Sequence, residues 1–206
     1  CESYYKANID IINNSLGLIA QNNIQNQIII SSGAVKFKND LYSVLKSFEE
    51  QKFINNGVPK TLIFRVFGAM GRLMPKNNWS AMNDFLDKFL SKEDIVITSQ
   101  GIVQRSFIDF ENLSELILAT LNKGYFKESL KCVDASIGSI SIQDIAEFIS
   151  SRVNSKVLYP TGYDFNKIIS FYSGDDSAIR SMFKEMNVDP VEIEQQIYNS
   201  LKPYSM

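Results

Sequence analysis

The chain has 206 residues, of which 45% are hydrophobic and 21% charged, and its formal net charge is −2. These values are typical of a globular domain and exclude the strongly basic surface that nucleic-acid binding requires. The sequence contains no histidine, which excludes histidine-dependent catalytic triads and most zinc sites. No apolar run approaches the length of a membrane span.

The first third of the chain alternates helix and strand. Apolar residues three and four positions apart predict a helix over residues 3–22, and NQIIIS (26–31) is typical of a buried parallel strand. Asp40 is placed to cap a second helix over 40–56, and KTLIFRVF (60–67) predicts another buried strand. One face of the second helix carries the apolar residues Leu41, Val44, Leu45 and Phe48.

The elements become shorter in the second half. A helix is predicted with Met82, Phe85, Leu86 and Phe89 facing the core, followed by the strand-like runs DIVITS and VQRSFI and a helix over 110–122. The strand LKCVD contains Cys132, which we expect to be a buried, reduced thiol. Ser141 and Asp144 form a capping pattern for the next helix, and DPVE (189–192) predicts the start of the last one. The alternation indicates an α/β fold with a mainly parallel sheet and a smaller mixed lobe.

The segment YSVLK places Tyr42 and Lys46 four residues apart, and therefore on one face of the second helix. An ammonium group beside a phenol favours the phenolate and lowers a tyrosine pKa from about 10 toward the range of an acid/base catalyst. A serine at the end of the preceding strand could hydrogen-bond the reacting substrate oxygen. Such a pair also arises by chance on helix surfaces, so the surrounding sequence has to decide whether this pair is catalytic.

The context is the order SSGAV, YSVLK, FRVFG, RSFIDFENL and CVDASIGSISIQDIAEFI, with YSGDDSAIRSMF near the end. This series resembles the extended short-chain dehydrogenases/reductases that modify nucleotide sugars, the NAD-dependent epimerase/dehydratase family. The resemblance covers essentially the whole chain. It implies a Rossmann-like doubly wound parallel sheet and NAD or NADP as the cofactor.

The resemblance also implies roles for individual residues. Ser32 matches the catalytic serine, Tyr42 the acid/base and Lys46 the ribose-binding lysine, and Asn8 falls where the family has a further asparagine. An ordinary polar residue on a helix surface is the alternative for Asn8.

Cofactor and substrate contacts follow in the same way. The implied cofactor-binding residues are Tyr42, Lys46, Ser31, Phe64, Val66 and Phe67. The implied substrate-binding residues are Gly33, Gly68 and Arg105, and no metal is implied. A guanidinium group suits the diphosphate of a nucleotide sugar, although Arg105 could equally form a surface salt bridge. Arg65, in FRVFG, is expected to be structural.

Several positions depart from the family pattern. Its Val-Tyr-Gly is Val35-Lys36-Phe37 here, and nine residues separate Ser32 from Tyr42, where many members have about twice as many. Gly33-Ala34 replaces the acidic pair of the 4,6-dehydratases, and Gly68 replaces an asparagine of the UDP-glucose 4-epimerases. These departures argue against a dehydratase and leave a 4-ketosugar reductase or an unusual epimerase. The alternative is a non-catalytic binding or scaffold module.

The glycine-rich turn that receives the pyrophosphate of NAD(P) in this family does not occur in the sequence. We expect about 80 to 100 residues carrying that turn to precede Cys1 in the parent protein; a lipidated Cys1 is the other reading. The expected domains are the rest of the Rossmann-like domain (1–72) and a substrate lobe (73–206), with a segment near 93–125 returning to the first domain. By itself the chain is expected to be inactive and to bind NAD(P) weakly.

The expected partner is a nucleotide-sugar substrate, and neither nucleic acid nor a membrane is expected to bind. A homodimer through helices 3–22 and 40–56 is possible, because both helices have apolar faces, but those faces could equally pack on the sheet. The resemblance implies a cytoplasmic location.

Overall fold

A computed structural model describes residues 2–37, 40–72 and 80–202. The α-helices are α1 (Glu2–Gln21), α2 (Leu41–Ile54), α3 (Ala81–Ser91), α4 (Phe110–Asn122), α5 (Ile142–Ser150), α6 (Ser177–Met186) and α7 (Ile193–Leu201). The strands are β1 (Asn26–Ser32), β2 (Lys60–Val66), β3 (Ala69–Met70), β4 (Ile95–Val96), β5 (Gly101–Ser106), β6 (Ile108–Asp109), β7 (Leu130–Ala135), β8 (Ser139–Ser141), β9 (Val157–Leu158) and β10 (Asp164–Tyr172). A short 3-10 helix, Gly33–Lys36, follows β1. Cys1 lies outside the described residues.

The main sheet is parallel, with strand order β1-β2-β7. The apolar run of β1 lies in register with that of β2, so that Ile29 pairs with Ile63 and Ser32 with Val66. Helices cover such a sheet on both faces, which explains why β2 is almost continuously apolar and buried. The predicted α/β, Rossmann-like fold with a mainly parallel sheet is confirmed.

Three smaller sheets complete the fold. In the largest, β10 pairs in parallel with β5, and β5 pairs antiparallel with β8. β3 pairs with β6 and β4 with β9, both in parallel. The nine-residue strand β10 is absent from the sequence prediction, because its residues do not alternate between apolar and polar types and most of them are exposed.

Two apolar cores hold these layers together. The first lies against the main sheet and combines β2 and β7 with β6, α4 and α6. The second combines β3 and β4 with α3, α5 and α7. Elements on either side of residue 72 therefore share both cores. The first core brings β6, α4 and α6 against the main sheet, whereas β4, also within the segment 93–125, belongs to the second core.

Helix α2 begins as predicted, and most of its apolar face is exposed. Asp40 accepts from the Ser43 backbone N–H at 2.7 Å, while the Asp40 backbone N–H donates to the Ser43 hydroxyl, forming a capping box. The residues of the apolar face that are exposed are Leu41 (46%), Val44 (53%) and Phe48 (38%). The buried residues are Ser43, Leu45, Glu50 and Phe53. Leu45 is the residue of that apolar face that is buried, and Glu50 is buried in an ion pair with Arg65.

Two further expectations are corrected. Helix α7 begins at Ile193 with Glu192 as its N-cap, so DPVE precedes the helix and does not form its first turn. Cys132 is exposed and not buried, since β7 is an edge strand of the main sheet. The helix over 110–122, the helix 81–91 with its buried face, and the Ser141 cap are confirmed. Among the described residues, no helix is long and apolar enough to cross a membrane.

Candidate active site

Ser32 is the last residue of β1 and stands at the carboxyl end of the main sheet. Its backbone is extended, and its buried hydroxyl oxygen accepts from the Ala34 N–H at 3.2 Å, capping the 3-10 helix Gly33–Lys36. Glycine is required at 33, because a Cβ there would lie 2.5 Å from the Phe67 ring. The tight turn after β1 therefore fixes the Ser32 hydroxyl at the edge where parallel sheets of this kind bind ligands.

Tyr42 and Lys46 follow on α2, one helical turn apart. The Tyr42 side chain is 41% exposed. Lys46 Nζ donates to Glu49 Oε2 at 2.6 Å, forming an ion pair within the helix. The helix thus presents a solvent-accessible phenol close to an ammonium group that Glu49 holds.

Tyr172, at the end of β10, completes this cluster. Its hydroxyl lies 3.4 Å from Ser32 Oγ, and its ring packs between Phe37 and Phe67, with centroid distances of 5.2 and 5.0 Å. Burial raises the pKa of Tyr172, and the hydrogen bond with Ser32 opposes the increase. The sequence reasoning did not single out Tyr172, since it lies 140 positions from Ser32 and no spacing rule connects the two.

A cavity of about 590 Å³ opens beside Tyr172. Phe67, Gly68, Arg105 and Tyr172 line one part of it. Its other polar lining residues are Ser80, Asp84, Thr98, Ser99 and Ser106. Two of the three predicted substrate-binding residues, Gly68 and Arg105, therefore line one cavity, and the third, Gly33, packs against its wall residue Phe67.

Arg105 lies on β5 directly opposite Tyr172 of β10. Its Nη1 donates to the backbone carbonyl of Gln104 at 2.8 Å. Burial lowers the pKa of Arg105, with a smaller opposing effect from Tyr172, but a guanidinium group remains charged at any ordinary pH. Arg105 therefore offers a partly buried positive charge to the cavity.

A second group of contacts fixes the turn after β1. Lys36 pairs with the buried carboxylate of Asp134, which also accepts from the Asp175 N–H at 3.0 Å. Gly174 packs so closely that an added Cβ would lie 2.6 Å from the Phe67 ring. The 3-10 helix, the end of β7 and the segment after β10 are thus tied together where the family has Tyr-Gly.

The remaining predicted residues lie further from this cluster. The Asn8 side-chain amide donates to the Tyr4 carbonyl of its own helix at 2.8 Å. Phe64 is fully buried in the first core, which argues against a side-chain contact with a cofactor, and Val66 is half-buried. Arg65 forms a two-pronged ion pair with Glu50, at 2.9 and 2.7 Å. This pairing agrees with the structural role expected for Arg65.

The residues present fit one half of a dinucleotide. Ser31 is buried beside Ser32, and its hydroxyl has no hydrogen-bond partner among the described residues, so a bound polar group could satisfy it. Tyr42 and Lys46 could hold a ribose and nicotinamide. The sequence offers no glycine-rich turn for the pyrophosphate. Within the described ranges, cysteine, aspartate and glutamate side chains form no cluster of three or more that could hold a metal ion.

No family model and no curated protein sequence matches the chain. Several solved structures, however, are similar to the chain. The dTDP-glucose 4,6-dehydratase of Bacillus anthracis in complex with NAD has a TM-score of 0.77 at 15% identity, over 98% of this chain and 68% of its own. The UDP-N-acetylglucosamine 4-epimerase of Methanobrevibacter ruminantium, in complex with UDP-N-acetylmuramic acid, gives 0.73 at 20% identity, over 97% and 69%.

A third neighbour is TunA, an NAD-dependent NDP-hexosamine 5,6-dehydratase of tunicamycin biosynthesis, with a TM-score of 0.71 at 17% identity, over 95% of this chain and 68% of its own. The chain spans about two thirds of the length of these structures. At such identities the likeness establishes the fold, and the resemblance found in the sequence is confirmed at that level. The chain therefore has the Rossmann-like fold of NAD-dependent nucleotide-sugar epimerases and dehydratases.

Proposed function

We propose that this chain is the catalytic and substrate-binding part of an NAD(P)-dependent nucleotide-sugar epimerase or 4-ketosugar reductase. One arrangement carries the proposal. Ser32 lies at the carboxyl end of β1, just ahead of the helix that carries Tyr42 and Lys46. Its Oγ is 3.4 Å from the Tyr172 hydroxyl, and Tyr172 lines the same cavity as Arg105. A serine, a phenol and an ammonium group next to a cavity with a partly buried cation suit proton exchange on a bound phosphorylated sugar.

The chemistry divides among these side chains. Tyr42 would exchange a proton with the sugar hydroxyl that becomes a ketone, and Ser32 would hydrogen-bond the same oxygen. Lys46 would hold the hydroxyls of the nicotinamide ribose through its donor hydrogens. NAD(P), when bound, supplies the hydride acceptor or donor.

The cavity suits a nucleotide sugar in size and charge. Its volume of about 590 Å³ is in the range of small-molecule sites. Arg105 can pair with a diphosphate, and Gly68 keeps the wall beside Phe107 free of a side chain. The turn after Ser32 consists of Gly33, Ala34, Val35 and Lys36, so it carries no acid for an elimination step. This composition favours epimerisation or ketone reduction over dehydration.

One observation favours a second candidate, a non-catalytic binding or scaffold module. Glu49 holds Lys46 Nζ at 2.6 Å, which occupies one of its three donor hydrogens and offsets the charge that a catalytic lysine would use. Glu49→Gln separates the candidates. In an enzyme it should strengthen NAD(P) binding severalfold, since Lys46 is released, whereas in a binding module it should leave nucleotide-sugar affinity unchanged and reveal no turnover.

The main test uses the longest natural form of the protein that contains this chain. It is incubated with NAD(P)(H) and a panel of UDP- and dTDP-sugars, including 4-keto forms, and the products are identified by chromatography and NMR. Tyr42→Phe should reduce turnover by about 100-fold or more while cofactor affinity changes little. Tyr198→Phe, an exposed tyrosine on α7, is the matched control and should retain full turnover. Retained activity in Tyr42→Phe would dispose of the proposed site.

A further inference from the structure

The hydrogen-bonding capacity of Ser32 is almost used up by the protein. A serine hydroxyl has two acceptor positions and one donor hydrogen. The Ala34 N–H occupies one acceptor position at 3.2 Å. Tyr172 is the side chain placed to use a second position, with its hydroxyl 3.4 Å from Ser32 Oγ.

The direction of the Ser32–Tyr172 hydrogen bond decides what Ser32 can offer a ligand. If Tyr172 donates, both acceptor positions of Ser32 are occupied, and its own hydrogen is left for a ligand. If Ser32 donates, no hydrogen is left for a substrate oxygen. A phenol, with an ordinary pKa of about 10, is a stronger hydrogen-bond donor than an aliphatic hydroxyl, so Tyr172 is the better donor of the two.

The surroundings of Tyr172 hold it in this position. Phe37 and Phe67 pack on its ring, and the strand register sets it directly opposite Arg105. Tyr172 and Arg105 line the same cavity. One strand pair therefore places the partly buried Arg105 next to the only tyrosine whose hydroxyl contacts Ser32 among the described residues.

We propose that Tyr172 is a positioning residue that donates its hydroxyl hydrogen to Ser32 and so commits the Ser32 hydroxyl to donate to the reacting oxygen of the sugar. The proposal rests on the proposed function and deepens it. A ketone oxygen accepts hydrogen bonds but cannot donate them, so a committed donor stabilises the ketone and the partly charged oxygen of the transition state more than it stabilises a hydroxyl group. The 3.4 Å separation is long for an O–H···O bond, and such contacts often shorten when substrate binds.

The role predicts a specific kinetic effect. Tyr172→Phe keeps the ring between Phe37 and Phe67 and removes only the hydroxyl. The kcat should fall about tenfold, the loss expected for one hydrogen bond, while the KM for the nucleotide sugar stays within about twofold. Tyr198→Phe should leave both constants unchanged.

A double-mutant cycle shows whether Tyr172 acts through Ser32. Turnover is measured for the wild type, Ser32→Ala, Tyr172→Phe and the double variant, across the pH range, in the longest natural form of the protein. Once Ser32→Ala has removed the hydroxyl, adding Tyr172→Phe should cause no further loss. The pH midpoint of kcat/KM should be the same in Tyr172→Phe and the wild type, because Tyr42 is the group that exchanges the proton. Unchanged thermal unfolding of Tyr172→Phe separates this role from a structural one.

Each other outcome overturns the inference in a recognisable way. Multiplicative losses in the double variant would show that Tyr172 acts independently of Ser32. A vanished limb of the pH profile in Tyr172→Phe would show that Tyr172 is itself the acid/base. No NAD(P)-dependent turnover by the wild type on any nucleotide sugar would overturn the proposed function, and this inference with it. Active wild type with full activity in Tyr172→Phe would overturn this inference alone.

Discussion

Two regions of the main sheet differ in how closely their side chains are packed. One is the carboxyl end, and the other is the edge formed by β1, here called the flank. At the carboxyl end, the turn after Ser32 packs on Phe67, and Asp134 joins Lys36 to the Asp175 backbone. On the flank, β1 pairs only with β2 within the described chain, and Ile30 is 47% exposed. Apolar contacts and buried ion pairs thus concentrate at the candidate site.

The two helices that precede and follow β1, α1 and α2, also carry exposed apolar residues. The exposed apolar residues of α1 include Tyr4, Tyr5, Ile11 and Leu18, the last two with more than 60% of their surface accessible. Those of α2 include Leu41 and Val44. Apolar surface of this extent is typical of a face that another element or a second copy covers. The difference teaches that the catalytic and substrate side of the site is tightly packed within the described residues while the β1 flank is not.

The largest effect is expected from Asp134→Ala at the site. The substitution would leave the Asp175 N–H and the Lys36 ammonium group without their buried acceptor, so the free energy of unfolding should fall by about 3 kcal/mol. Urea denaturation measures the change. Asp10→Ala, on the exposed flank of α1, is the control and should be close to neutral. Equal losses at the two positions would remove the contrast between the regions.

A pair of glycines gives the next test. A Cβ at Gly33 would lie 2.5 Å from the Phe67 ring, so Gly33→Ala should cost about 2 kcal/mol of unfolding free energy. A Cβ at Gly17, within α1, would meet no other atom within 4 Å, and Gly17→Ala should stabilise the helix by about 0.5 to 1 kcal/mol. Thermal and urea unfolding would show the opposite signs. A neutral Gly33→Ala would mean that the turn after Ser32 is not tightly packed.

The flank itself can be tested at β1. Ile30→Lys should change the unfolding free energy by less than about 0.5 kcal/mol, because the side chain is already half exposed. It should reduce self-association of the chain, since a charge on an edge strand opposes pairing with another chain. Light scattering at increasing protein concentration measures this. Undiminished association would place the contact elsewhere.

A further small effect is expected at an exposed ion pair that connects α6 to the start of α7. Arg180 forms a two-pronged ion pair with Glu192, and this hydrogen bonding holds the pKa of Glu192 below its ordinary value of 4.5. A lowered carboxyl pKa contributes stability that is present above pH 4.5 and lost as the pH falls below it. Since the pair is largely exposed, Glu192→Gln should cost about 0.5 kcal/mol at about pH 7 and nothing measurable near about pH 3. A loss independent of pH would contradict this account.

Local patterns in the sequence predicted much of the fold. The Asp40 and Ser141 caps and the apolar face of α3 each act over a few residues, and each is confirmed. The run of isoleucines correctly predicted the parallel strand β1 but not its burial, since Ile30 is 47% exposed. Long-range partners could not be predicted in this way. Glu50 is buried in an ion pair with Arg65, 15 positions away, and no local spacing rule connects the two residues.

The residues of the candidate site also differ in whether local sequence patterns could predict them. Ser32, Tyr42 and Lys46 lie within 15 positions of each other, where spacing carries information. Tyr172 and the Lys36–Asp134 pair depend on where β10 and β7 end in space, and no periodicity expresses that. The ion pair that holds Lys46 was missed for another reason, because a glutamate three positions after a lysine on a helix is an ordinary surface pattern.

The central claim is that this chain carries the catalytic and substrate side of an NAD(P) site without the turn that binds the pyrophosphate. Calorimetric titration of the 206-residue chain with NAD and with NADP tests it most directly. The account predicts no binding tighter than about 1 mM, because Tyr42, Lys46 and Ser31 reach only the nicotinamide half. Micromolar affinity for either dinucleotide would contradict it.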